Sequence, residues 1–261
     1  MANNPTLSVA LAVYNEEDNL ADCLNSIKDI ASEIVIVDGQ SSDKTVEIAK
    51  QFGARVISTT NKANFHINKQ MAIDDCKSAW ILQLDADERV SNMLAQEIMT
   101  TISSPSSSDA YYLKRRNYFL GRWMNKGGMY PDPVIRLFKK GKAKLPQASV
   151  HELMEVNGTL SWMQNDLLHI ADPNFVRYLL RSNRYTTLTA NDWAKEGVIG
   201  TNTWNIIKYM LLMPLVRFLE IYIRHKGFQD GFPGFVFAWY SGLHLATSYV
   251  KYYELQNAKK T

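Results

Sequence analysis

The sequence predicts an α/β fold built on a doubly wound, mostly parallel sheet with a helical C-terminal extension, and three observations carry that expectation. The first sixty residues alternate short apolar runs with helical stretches in the order β-α-β-α-β. The runs at 7–13 and 33–37 are apolar nearly throughout, as strands buried on both faces are. They end in polar or acidic residues, at the edge where open α/β sheets place their ligands.

Taken in order, the strand at 7–13 leads into Tyr14-Asn15-Glu16-Glu17 and a helix with apolar positions Leu20, Leu24 and Ile27. The second strand ends in Asp38-Gly39. Ser41-Ser42-Asp43-Lys44-Thr45 then caps a helix through Ala49, and a third strand covers 55–57. A carboxylate in the position of Asp38 suits hydrogen bonds from a nucleotide's ribose or base. No Gly-x-Gly-x-x-Gly follows the first strand, which argues against NAD or FAD. The stretch Ile81-Leu82-Gln83-Leu84 runs straight into Asp85, Asp87 and Glu88. In extended chain Asp85 and Asp87 point the same way and can share one hard divalent cation, Mn²⁺ or Mg²⁺. An isolated Asp-x-Asp is more often a solvated turn, so its context decides.

Composition narrows the classes. The 261 residues suffice for one large α/β domain with an appendage, and 46% apolar with 21% charged residues is ordinary for a globular chain. A net charge of +3 does not argue for nucleic acid. Cys23 and Cys76 lack metal-ligand spacing and suggest no disulfide framework, so a reducing cytoplasm is expected. Met-Ala-Asn-Asn-Pro lacks the basic start and apolar core of a signal peptide, and the protein is expected not to be exported.

Ala12-Val13-Tyr14-Asn15-Glu16, Val37-Asp38-Gly39-Gln40-Ser41-Ser42-Asp43-Lys44-Thr45 and Leu84-Asp85-Ala86-Asp87-Glu88, in this order and spacing, resemble the family-two glycosyltransferases of GT-A (Rossmann-like) fold. The resemblance covers the first ninety residues, and three segments in register are far more specific than any one. It implies that Tyr14, Glu16 and Asp38 contact the nucleotide of a sugar donor, and that Asp85 and Asp87 hold its diphosphate through a metal. Lys69, in Phe65-His66-Ile67-Asn68-Lys69-Gln70, stands where the family has a basic donor contact, although the usual glycine before it is missing.

Further along, a helix is expected over 91–102, then a polar serine-rich loop at 103–108 and a strand at 110–116. The stretch 121–129 reads as flexible and able to cover the site. Residues 130–138 resemble a segment of bacterial enzymes of lipopolysaccharide-core or surface-glycan assembly. In Ser149-Val150-His151-Glu152, Glu152 is the candidate general base, since an inverting transfer needs a carboxylate to take the acceptor hydroxyl's proton. His151 is a structural histidine or orients that base. His169 is a candidate third metal ligand, an imidazole that manganese accepts more readily than magnesium, with a core histidine as the alternative. Arg177, Arg181 and Arg184 share one face of a helix from 175 to about 194, and Arg181 is the candidate donor contact on it. The Gln-x-x-Arg-Trp of processive synthases is absent, which favours transfer of a single sugar.

The expected division is a catalytic domain at 1–200 and a helical extension at 201–261. The extension mixes aromatic and aliphatic residues with Lys208, Arg217, Arg224, His225 and Lys226, as an amphipathic helix lying on a membrane does, but its uncharged runs are too short to span one. Packing on the catalytic domain or on another subunit of a homo-oligomer is the alternative. A linker is expected at 227–234, before a final helix. The resulting expectation is a cytoplasmic enzyme, peripheral on the inner face of the cytoplasmic membrane, that transfers a hexose from a UDP donor to a saccharide or lipid-linked acceptor. A nucleotidyltransferase would show a Gly-rich basic loop near the first strand, where this chain has Tyr14-Asn15-Glu16. A non-catalytic nucleotide-sugar binding module is the third reading.

Overall fold

The computed structural model describes residues 6–62, 64–146, 153–197 and 200–258. Its chain divides into two compact units, Met1–Arg115 with Pro133–His169, and Arg116–Asp132 with Ile170–Thr261. That division does not fall at residue 200, where the change of composition placed a boundary.

The β-α-β-α-β start is realised as β1 (Leu7–Val13), α1 (Leu20–Asn25), β2 (Glu33–Asp38), α2 (Thr45–Gln51) and β3 (Arg55–Ser58). It continues with α3 (Phe65–Asp75), β4 (Trp80–Leu84), β5 (Glu88–Val90), α4 (Asn92–Ser103), β6 (Ala110–Phe119), β7 (Arg122–Trp123), β8 (Asp132–Lys139) and β11 (Leu160–Asp172); β9 (Ala143–Lys144) and β10 (Glu155–Val156) form a separate ribbon. Among the described residues the main sheet runs β3-β2-β1-β4-β8-β6-β11-β5, with β7 on β6. The pairs β1/β2, β1/β4 and β2/β3 are parallel, and β4/β8 and β11/β5 are antiparallel.

The alternation of side chains along β1 separates two cores. Leu7, Val9, Leu11 and Val13 meet Leu20 and Leu24 of α1 and Ala49 of α2, while Ala10, Val35 and Val37 meet Ala72 and Ile73 of α3. The sheet is therefore covered on both faces, and that is why its central strands carry no polar face. Each buried Leu or Ile stabilises by roughly 1.5–3 kcal/mol. Helix α4 is stopped at its start by Ser91, whose Oγ accepts from Leu94 N at 3.2 Å. Both cysteines are buried and free.

In the second unit, α5 (Phe175–Glu196) is capped by Asn174, whose Oδ1 accepts from Arg177 N at 2.9 Å, and ends on the left-handed Gly197. A helical run follows: α6 (Thr203–Ile207), a π-helical turn Lys208–Leu212, α7 (Met213–Leu219) and a second π-helical turn Glu220–Arg224. The linker expected at 227–234 is instead a tight corner. A 3₁₀ turn, Gly227–Asp230, feeds directly into α8 (Gly231–Ala258), and a Cβ on Gly234 would lie 1.9 Å from the Gly227 carbonyl oxygen. The 121–129 stretch is also held rather than free. Fully buried Asp230 accepts from Arg122 Nε at 3.2 Å, Asn125 N at 3.1 Å and Lys126 N at 2.7 Å.

Candidate active site

The loops after β1 and β2 build one wall of the site. Asn15 and Gln40 both take left-handed backbone angles, φ 53° and 65°, which turn the chain sharply as it leaves each strand. The loops then zip together: Asn15 N donates to Ser41 Oγ at 2.9 Å, Ser42 N to Asn15 Oδ1 at 2.8 Å, and Glu16 N to Thr45 Oγ1 at 2.8 Å. Asp38, only 2% exposed, accepts from Gln40 N at 3.1 Å and Ser41 N at 3.2 Å. Glu16 Oε2 accepts from Asn19 Nδ2 at 2.8 Å, and Tyr14 stays exposed beside this wall. Gly39 suits a close approach, since a Cβ there would sit 3.1 Å from Asn61 Cβ and 3.4 Å from Val13 O.

The acids after β4 form the second wall, and here the structure corrects the expected geometry. The strand stops at Leu84, and Asp85-Ala86-Asp87 is a turn closed by Glu88 N donating to Asp85 O at 3.0 Å. The alternation that would point both aspartates at one ion therefore does not apply. The Asp85 carboxylate is ion-paired with Lys69 and accepts from Arg136 Nη2 at 2.7 Å. The same Arg136 nitrogen donates to Glu88 Oε1 at 2.8 Å, while its other terminal nitrogen bonds Gln83 Oε1. Glu88 and Gln83 are fully buried. Burial pushes the Asp85 carboxyl up, but Arg136 and Lys69 more than reverse this and hold it far below the usual carboxylate range. Burial lowers the Arg136 guanidinium, and Asp85 and Glu88 return it to firmly charged.

Asp87 has a different neighbour. The antiparallel register of β11 on β5 sets His169 opposite Glu88, next to Asp87 in the chain, and Asp87 Oδ2 lies 3.4 Å from His169 Nε2. Burial raises the Asp87 carboxyl, and the His169 ring, by hydrogen bond and charge, brings it below its ordinary value. Among the described residues no three carboxylate, thiolate or imidazole side chains gather as a ready metal cage. The Asp87–His169 pair nonetheless brings one oxygen and one nitrogen donor within 3.4 Å of each other, donor types that suit manganese better than magnesium.

The sequence matches the glycosyl transferase family 2 profile over residues 8–169, more than half of the chain. The chain belongs to glycosyl transferase family 2. Relatives within it include an uncharacterized glycosyltransferase of Rickettsia typhi, 28% identical over 88% of this chain and 80% of its own. Another is the lipopolysaccharide core biosynthesis glycosyltransferase LpsC of Rhizobium meliloti, 25% identical over 95% of this chain and 92% of its own. Two solved structures share the fold. The mannosyltransferase PcManGT of Pyrobaculum calidifontis, in complex with GDP-Man and Mn²⁺, has a TM-score of 0.53 at 13% identity, covering 96% of this chain and 88% of that one. TarS of S. aureus in complex with UDP has a TM-score of 0.51 at 14% identity, covering 98% and 91%. The GT-A expectation for this family 2 chain, a glycosyltransferase, is thereby met.

Within the first unit the family 2 fold brings Lys69 onto Asp85 and Asp87 onto His169, and sets Asp38 in the wall made by the first two loops. Arg181 lies in the second unit, where its guanidinium pairs with Asp172 of β11. Glu152 and His151 lie outside the described residues. The residue that sequence reasoning missed is Arg136. Its only signal was a charged residue inside an otherwise apolar stretch, Val134-Ile135-Arg136-Leu137-Phe138, where burial demands an acidic partner.

Proposed function

We propose that this family 2 glycosyltransferase moves a single hexose, with inversion, from a UDP donor to a saccharide or lipid-linked acceptor in lipopolysaccharide or surface-glycan assembly. The observation that carries the reading is that Asp38, the Lys69–Asp85–Arg136 network and the Asp87–His169 pair all lie within one unit of a GT-A fold. The likeness to LpsC supports the place in surface-glycan assembly, and the UDP-bound TarS supports the nucleotide.

Asp38 holds the nucleoside, its carboxylate already aligned by Gln40 N and Ser41 N, with Tyr14 and Glu16 beside it. Lys69 and Arg136 supply positive charge next to Asp85, and Lys69 is the one that reaches the diphosphate of the donor. Asp87 and His169 would hold a divalent ion, Mn²⁺ by their donor types, and a bound ion would offset the charge that develops on the departing diphosphate. Glu152 takes the proton from the acceptor hydroxyl as its oxygen forms a bond to the anomeric carbon. The bond from that carbon to the diphosphate oxygen breaks on the opposite face, and the electron pair leaves with UDP.

Purified protein incubated with a panel of nucleotide-sugars and manganese tests this. UDP release that rises on adding a saccharide acceptor, with an inverted anomeric proton in the product's NMR spectrum, is the expected result. Glu152→Gln should retain UDP binding and lose on the order of 10²-fold or more in rate. Turnover nearly intact in that variant, or retention at the anomeric carbon, would refute the base assignment.

A further inference from the structure

We propose that the helical unit carries a membrane-docking face, formed by the run from Thr203 to Arg224 together with the start of α8, which lies flat in the interface of an anionic bilayer. Between residues 204 and 223 the only exposed polar side chain is Arg217. Leu211, Leu215, Val216, Leu219 and Ile223 are each 45–65% exposed, a helix apolar on its solvent side as well as on its packed side.

The partner helix extends the same surface. Phe218 stacks edge-on against Phe235 and Trp239 at 5.7 and 5.9 Å. A Cβ on Gly242 would lie 2.5 Å from the Pro214 carbonyl oxygen, so the two helices touch along their backbones. An apolar groove of about 210 Å³ lies between them, and Leu211, Leu215, Trp239 and Leu243 are among its walls. Phe228, Phe232, Phe235 and Trp239 stay 47%, 73%, 40% and 50% exposed. With Trp204 these aromatic rings alone present on the order of 500 Å², about the size of the largest apolar patch on an ordinary monomer before any aliphatic residue is added.

Charge decides the occupant. Between residues 200 and 250 the acids are Glu220, which accepts from Arg217 at 2.7 Å, and Asp230, which is fully buried against Arg122. Arg224 and Lys226 stand exposed at the end of the helical run, beside Phe228, and half-buried Lys208 lies near its start. A second copy of the chain would bring the same basic residues and no free acid to this face. Anionic headgroups would answer the basic residues while acyl chains took the leucines and rings. No helix of the described residues is long and apolar enough to cross a membrane, so the face rests in the interface plane.

The inference is independent of the reaction catalysed, and binding tests it without activity. Full-length protein should sediment with vesicles of phosphatidylglycerol and phosphatidylethanolamine, and at least tenfold more weakly with phosphatidylcholine alone. Leu211→Gln with Leu215→Gln should lower partitioning tenfold or more at an unchanged thermal midpoint. Arg224→Gln and Lys226→Gln should each lower it roughly fivefold. Sedimentation unaltered by all four substitutions, or no sedimentation at all, would overturn the proposal. So would a dimer in vesicle-free solution that the leucine variant dissociates, since the face would then belong to a second copy.

Discussion

Arg136 Nη2 donates to Asp85 Oδ2 at 2.7 Å, and this contact settles the geometry of the acidic turn before any ligand arrives. Arg136 also donates to fully buried Glu88, so one guanidinium neutralises two carboxylates.

Removing that cation leaves a buried acid without its main partner. Arg136→Met should lower the unfolding free energy by about 3 kcal/mol in urea denaturation, at the low end for breaking a buried pair because Arg115 remains 3.5 Å from Glu88. A loss below about 1 kcal/mol would mean that Glu88 does not depend on it.

Lys69 pairs with the same aspartate from α3, but its role in the proposed site is to reach the donor. Lys69→Met should weaken UDP binding by about tenfold, in line with the loss of one hydrogen bond to a charged group, and should cost less stability than Arg136→Met because Arg136 still pairs with Asp85. Unchanged UDP affinity in titration calorimetry would assign the lysine to Asp85 alone.

Gly39 sits against Asn61 and the end of β1 so closely that a methyl group would meet Asn61 Cβ at 3.1 Å and fits only if the Asn61 segment shifts by a few tenths of an ångström. Gly39→Ala should cost about 1–2 kcal/mol and displace the loop that follows Asp38, so that stability and nucleotide affinity fall together. A fully stable variant would show that the Asn61 segment yields.

Glu33 gives a pH test distant from the chemistry. Burial raises its carboxyl, but bonds from Ser8 Oγ at 2.6 Å, Arg55 Nη2 at 2.8 Å and Lys77 N at 2.9 Å bring it from 4.5 down to about 2. The folded value is depressed, so its contribution is complete above about 4.5 and is lost as the pH falls toward 2. Thermal midpoints followed from pH 5 to pH 2 should fall less steeply in Glu33→Gln than in the parent. Parallel curves would contradict this.

The first strands and helices of the fold were legible because their signals are local. Strands buried on both faces read as unbroken apolar runs, and the helices expected over 91–102 and from 175 begin within a residue of those positions. The acids at 85–88 were visible for the same reason, but their partners were not. Arg136 meets Asp85 only because β8 pairs antiparallel with β4, and His169 meets Asp87 only because β5 crosses to the far edge beside β11. No short-range pattern encodes either pairing. The glycines of 227–234 misled in the opposite direction: Gly234 marks the close approach of one backbone to another, where spacing alone suggested slack.

The account rests on a nucleotide diphosphate held at Asp87 and His169 through a divalent ion. Calorimetric titration of UDP with and without Mn²⁺ tests it most directly: manganese should tighten UDP binding tenfold or more in the parent protein and leave it unchanged in Asp87→Ala. UDP binding indifferent to manganese in the parent, or the same enhancement surviving in Asp87→Ala, would contradict it.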